Sequence, residues 1–244
     1  MSKISTAKGG VRMRKSLMTF VLSILFFSIP AHAASFNITS FDNGWYRNDG
    51  SHGPTNTNVF TGRSGSSELR SFFAFDLSQL TGLNVLSVTI SFRGANGRYR
   101  SSDPSETLGL FDVTTPINPL VSGAGGISAF NDLGSGISYG SYVYTDSNES
   151  NMDPFSVALN GSAISFLNSV LSGADKRFAI GGAILSLDGS NTQSIWSSSG
   201  GVGAATLTVE TGVAPVPLPA AAWFFLTTLL GAGWFRRRQV KASA

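Results

Sequence analysis

The chain has 244 residues, no cysteine, 13% charged residues and a formal net charge of +3. A chain without cysteine has no disulfide framework, no thiol nucleophile and no cysteine-ligated zinc. Five basic residues (Lys3, Lys8, Arg12, Arg14, Lys15) lie at the start and four (Arg236, Arg237, Arg238, Lys241) at the end, leaving eight basic against fourteen acidic residues between them. The middle of the chain is therefore acidic, about −6, which argues against a phosphate-binding basic surface and a nucleic-acid partner.

The first thirty-three residues read as a secretory signal peptide. Arg12, Arg14 and Lys15 form a positive region, and Leu17 to Ile29 an apolar core. Ala31-His32-Ala33 gives a small-x-small cleavage pattern, so Ala34 begins the mature chain. The apolar core is too short for a permanent span. Met13 stands directly before Arg14-Lys15 and makes a compact alternative start.

Residues 34–211 read as one domain, large enough to bury a single core. Leu86, Val88, Ile90 and Phe92 alternate with Ser87, Thr89 and Ser91, the pattern of a half-buried strand. Phe155, Val157 and Leu159 alternate likewise, as do Phe178, Ile180, Gly182 and Ile184, and Leu207 with Val209. Arg70 to Leu77 reads as a strand buried on both faces. Further strands are expected over Phe36 to Phe41, Thr107 to Val113, Ile137 to Tyr144 and Gln193 to Ser197. One helix is expected, capped by Ser162, with Ile164, Leu167, Val170 and Leu171 on one face and Gly173 at its end, covering one end of the fold. Gly123 to Gly126 and Ser197 to Gly203 read as loops, and residues 212–215 as a linker. The expectation is an all-β fold, an antiparallel β-sandwich of jelly-roll type with one short helix.

The segment from Phe72 to Phe92 (F-F-A-F-D-L-S-Q-L-T-G-L-N-V-L-S-V-T-I-S-F) resembles the start of DNRLRE-type β-sandwich modules. Those are carbohydrate-binding-like domains of secreted bacterial proteins, so the resemblance implies a sandwich and raises glycan binding as an expectation.

The end of the chain has three parts in fixed order. Val216-Pro217-Leu218-Pro219 comes first, then an uncharged apolar run from Ala220 to Phe235, then Arg236-Arg237-Arg238. Counted from Val216 to Phe235, the stretch reaches the length of a transmembrane helix, ~17–25 residues. Trp223 and Trp234 lie near its two ends, where indoles prefer the headgroup region. The arginine block should stay cytoplasmic, with the preceding domain outside.

Together these parts resemble the PEP-CTERM sorting domain of exopolysaccharide-producing Gram-negative bacteria, over residues 216–240. The match includes Ala220-Ala221-Ala222-Trp223 and the Gly231/Gly233 pair, and departs from the family where Leu218 stands in place of glutamate. The resemblance implies a membrane-anchored intermediate and a processing partner, an exosortase, that cuts near the motif. The alternative is a plain C-terminal anchor that nothing processes.

Catalytic signals are sparse. The mature chain keeps one histidine, His52, in the loop S-H-G-P-T-N-T-N, and there is neither an H-E-x-x-H nor a G-x-S-x-G motif. The expectation is an exposed loop histidine and no enzyme; a secreted hydrolase is the least favoured class. No cofactor is expected. Asp146, Asn148 and Asp153 form a weak Ca²⁺ candidate against the alternative of a polar turn, and Asp103 with Glu106 is a similar case. Trp45, Tyr142, Tyr144 and Trp196 are the candidate rings for stacking on sugars, with Tyr46, Tyr99 and Tyr139 further aromatics; core packing is the competing reading. The combined expectation is an exported envelope or matrix protein, structural or adhesive in an exopolysaccharide biofilm, with a carbohydrate-binding module as the alternative.

Overall fold

The structure, a computed structural model, describes residues 34–93, 99–145, 153–189, 192–200 and 204–213. The expected signal peptide and the expected C-terminal motif, span and arginine block lie outside the described residues; of the expected cleavage-site residues only Ala34 is described. Among the described residues no helix is long and apolar enough to cross a membrane.

Eleven strands are described: β1 (Ala34–Thr39), β2 (Asp42–Arg47), β3 (Asn58–Ser64), β4 (Ser67–Asp76), β5 (Leu83–Phe92), β6 (Glu106–Asp112), β7 (Ser138–Tyr144), β8 (Phe155–Ala158), β9 (Arg177–Ile184), β10 (Thr192–Gly200) and β11 (Ala205–Val213). They form two sheets with antiparallel pairings throughout. The four-stranded sheet has the order β1-β11-β5-β8. The larger sheet has the order β10-β3-β4-β9-β6-β7, with β2 also paired to β4. The chain is thus mostly β, as its short alternating runs predict.

The main core takes side chains from both sheets. Ile38, Val88, Ile90, Phe92, Val157, Leu207 and Val209 meet Phe73, Phe75, Leu108, Leu110, Phe178 and Ile180. The expected strand from Arg70 to Leu77 is indeed buried on both faces. Phe73 and Phe75 enter the main core, while Phe72 and Ala74 enter a second one on the other side. Two short helices, α1 (Ile117–Ser122) and α2 (Gly126–Asp132), cover that second face with Leu120, Ala129 and Phe130.

These helices correct the expectation of one helix, and of a plain loop at Gly123–Gly126. They are six and seven residues long, too short to impose a readable helical period. Gly123 ends α1 in the left-handed conformation, at φ 82°, which glycine adopts without a Cβ penalty.

The expected helix is α3 (Gly161–Ser172), ended by Gly173. Its cap is Asn160 rather than Ser162: the Asn160 side-chain oxygen accepts from the backbone N–H groups of Ser162 and Ala163. Ala163, Leu167 and Leu171 bury themselves in the main core, and α3 lies against β5, β7 and β9, so it touches both sheets.

Three further corrections concern boundaries and register. Leu86, expected on the buried face of its strand, is 52% exposed while Val85 is buried. The reason is a bulge: Glu210 pairs with Ser87 but Thr211 with Val85, so Leu86 is skipped and swings outward. Strand β10 runs to Gly200, into the stretch expected as a loop. Strand β11 runs to Val213, so the sheet takes in two residues assigned to the linker.

Candidate functional site

The aromatic residues are distributed by sheet register, and most face inward. Trp196 is 2% exposed and stacks on Phe155, with ring centroids 5.6 Å apart, while its edge meets Phe73. Tyr144 is 3% exposed and packs against Tyr99 and Phe155. Neither ring can stack on a sugar, and both are withdrawn as platform residues. Tyr46, Tyr99 and Tyr139 are also buried. Tyr142 is half-buried, with its ring stacked on Phe155 at 4.4 Å, so one face is already occupied. Trp45 is half-exposed, with the Arg47 guanidinium 5.8 Å from its ring centre.

His52 is not an exposed loop residue. It is half-buried, stacked on Tyr46 at 4.9 Å and edge-on to Phe72 at 5.4 Å, with Nδ1 2.8 Å from the Trp45 carbonyl oxygen. Burial pushes its pKa below the usual histidine range, against the opposing pull of that carbonyl and of the Asp42 charge. The ring is held by packing and by the Trp45 carbonyl, and among the described residues no hydroxyl is bonded to it. Gly44 makes room for it, since a Cβ there would lie 2.8 Å from His52 Cε1.

The acidic residues mostly bind the chain to itself. Asp132 accepts from both the N–H and the hydroxyl of Thr114 and of Thr115, at 2.7–2.9 Å, fixing the end of α2 to the segment after β6. Glu106 is fully buried and accepts hydroxyl hydrogen bonds from Ser101 (2.6 Å) and Ser186. Asp103 accepts from the buried Gln193 amide at 2.8 Å, tying its loop to β10. Of the weak Ca²⁺ candidate, Asp146 and Asn148 lie outside the described residues and Asp153 is exposed. Among the described residues no three His, Asp or Glu side chains converge as a metal site.

A second group of buried polar atoms sits where β6 ends. Asp112 accepts from the Ile137 N–H at 2.6 Å. The nearby Tyr139 hydroxyl is buried with no hydrogen-bond partner among the described residues, and burial together with the Asp112 charge pushes its pKa well above the ordinary tyrosine value.

Two surface features remain. The outer side of the four-stranded sheet carries neutral polar rows: Thr39, Thr206, Ser91 and Ser156 in one, Asn37, Thr208 and Thr89 in the next. Within these rows Ser91 and Ser156 share a hydrogen bond of 2.8 Å, and the Thr208 hydroxyl donates to Asn37 at 2.9 Å. The second feature is the chain path. Ala34 pairs with Thr211, and Val213 pairs with Leu83, so the chain enters and leaves the fold at one end of this sheet.

Fold and site together define an all-β, antiparallel two-sheet protein whose polar side chains chiefly secure its loops and helices. No family model matches the chain, and no curated protein matches it.

Proposed function

We propose that the chain is an exported envelope protein, held at the membrane by its C-terminal span and sorted by the PEP-CTERM-like signal at Val216 to Pro219. Its domain, a jelly-roll-like β-sandwich on this reading, serves as a structural or adhesive unit of an extracellular polysaccharide matrix. The observation that carries the reading is the juxtaposition of Ala34 with Thr211 and of Leu83 with Val213. A domain whose two ends leave side by side can be threaded out behind a signal peptide and hung from a tail without unravelling an edge. Ala34 is also the residue that cleavage after Ala31-His32-Ala33 would make first.

Deleting Arg236, Arg237 and Arg238 tests the sorting part. Positive-inside retention predicts that the shortened protein escapes retention or processing. Normal processing without these arginines would contradict it.

A second reading, recognition of a neutral matrix glycan, is favoured by the hydroxyl rows on the outer face of the four-stranded sheet. Glycan-array binding that is lost in Thr208→Lys, but kept in Trp45→Ala, would assign recognition to that face. Retention of binding in Thr208→Lys would exclude it.

A further inference from the structure

We infer that the outer edge of β1, which pairs with no further strand among the described residues, is a self-association surface, where β1 of a second copy adds antiparallel across a two-fold axis and joins two four-stranded sheets into one. An edge strand presents unpaired N–H and C=O groups, and natural sheets blunt their edges with short strands, bulges, charge, proline or a covering segment. The outer edges of β8, β7 and β10 carry such devices, and β2, which pairs with β4 alone, carries the charges of Asp42 and Arg47. Strand β8 is four residues long, and beyond it Asn168 occupies the β5 edge by bonding both polar groups of Val85. Strand β7 has a register shift opposite Leu110/Phe111, and the Asn160 N–H and side-chain amide occupy the carbonyls of Tyr139 and Ser138. Strand β10 is broken by a shift between Ile195 and Ser199, and Arg100 bridges it at Ser194.

Strand β1 carries none of these. It runs six residues in unbroken register on β11, and its sequence, A-S-F-N-I-T, has neither charge nor proline. Ala34, Ser35, Asn37 and Thr39 are exposed.

The sequence of β1 also selects its occupant and register. Directly opposed residues of an antiparallel pair point to the same side, so apolar residues must meet apolar ones. Centring the axis on Asn37 sets Phe36 against Ile38 of the second copy and Ser35 against Thr39. This covers Phe36, which is only half-buried in the single chain, and continues the Asn37–Thr208–Thr89 row into that of the second copy. No charge within β1 opposes the pairing, because neither strand carries one. The pairing stands whether or not the C-terminal tail is processed, so it does not depend on the proposed sorting.

The chain has no cysteine, which makes single-cysteine cross-linking unambiguous. Full-length Asn37→Cys, oxidised in the membranes of its host envelope, should run as a disulfide dimer on a non-reducing gel. Ser35→Cys should not, because its two copies would lie roughly 14 Å apart along the junction. Ser156→Cys, on the opposite edge strand, should not either. Asn37→Lys should abolish the dimer seen by sedimentation of the detergent-solubilised full chain while leaving the domain folded, with one cooperative thermal transition and native circular dichroism. A monomeric wild-type chain in that sedimentation experiment would overturn the proposal. So would cross-linking of the three cysteine variants to the same extent, or a dimer that persists in Asn37→Lys.

Discussion

The side-chain amide of Asn168 stands in for a strand beside Val85: its oxygen accepts from the Val85 N–H at 2.8 Å and its nitrogen donates to the Val85 carbonyl at 3.1 Å. Strand β8 pairs with β5 only from Thr89 to Phe92, and the edge beyond would otherwise be open. Asn168 sits on α3, so this amide also fixes the helix to the sheet. Asn168→Ala removes both bonds and should cost about 2 kcal/mol, the sum of two ordinary net hydrogen bonds. A lower urea midpoint at unchanged m-value is the expected signature. Asn168→Asp should be no better than Asn168→Ala, since it keeps an acceptor for the N–H but sets an oxygen against the carbonyl.

Acidification should act through His52. Its folded pKa lies below the unfolded value because burial disfavours the charged ring. A group of that kind takes up protons more readily when unfolded. Stability is therefore unaffected by His52 above the ordinary histidine pKa, and falls as pH drops through it towards the depressed folded value. Melting temperatures at pH 7.5 and pH 5.5 should differ more in the wild type than in His52→Phe, which keeps a stacked ring but cannot titrate. Equal differences in the two proteins would remove His52 as the cause.

Trp196 bridges the two sheets through Phe73, Phe92 and Phe155 at centroid distances of 4.9–5.7 Å. Trp196→Ala should therefore cost about 3–5 kcal/mol, the range for removing a large buried aromatic. Trp45→Ala, at a half-exposed ring, should cost clearly less. Thermal unfolding of the two variants measures the contrast, and it also shows why loss of binding in Trp196→Ala would report on folding and not on a sugar platform.

Asp132→Ala should loosen the helical layer without melting the sheets. The carboxylate takes four hydrogen bonds from Thr114 and Thr115, while the Tyr46 hydroxyl separately holds α1 through the Leu120 carbonyl at 2.7 Å. Hydrogen exchange should accelerate over residues 113–135, with a global loss of about 1–3 kcal/mol. Unchanged protection there would contradict the role given to Asp132.

The strands that could be read from sequence are those that keep an alternating or continuous apolar run. Alternation made β5, β8, β9 and β11 legible, although β9 is buried on both faces and β5 slips at Leu86; β4 was legible because two apolar layers claim its two faces, and β1, β6, β7 and β10 also lie where strands are expected. β2 and β3 were not. Each carries a glycine where a neighbour approaches too closely for a side chain: Gly44 beside His52, and Gly62, at φ 126°, where a Cβ would lie 2.1 Å from the Gln193 carbonyl oxygen. Glycine inside a strand weakens the very pattern used to find it. The spacing Ile117, Leu120, Val121 matches α1 but spans little more than one turn, and Pro116, Pro119 and Gly123 interrupt it, so it carries no readable period. Trp196 and Tyr144 fail as platform rings because tyrosine and tryptophan look alike in sequence whether they face a core or solvent. The Trp196 backbone, at φ 56° inside a bulge, has no sequence signature at all.

The most direct test of the account is the intact mass of the protein recovered from its envelope and from the surrounding medium. The account predicts a product that begins at Ala34 and ends between Val216 and Ala220, cut at both signals. A product that begins at Ala34 but retains Arg236 to Ala244 would contradict processing at the Pro-rich motif and leave a tail-anchored surface protein. One that retains Leu17 to Ile29 would contradict export through a cleaved signal peptide.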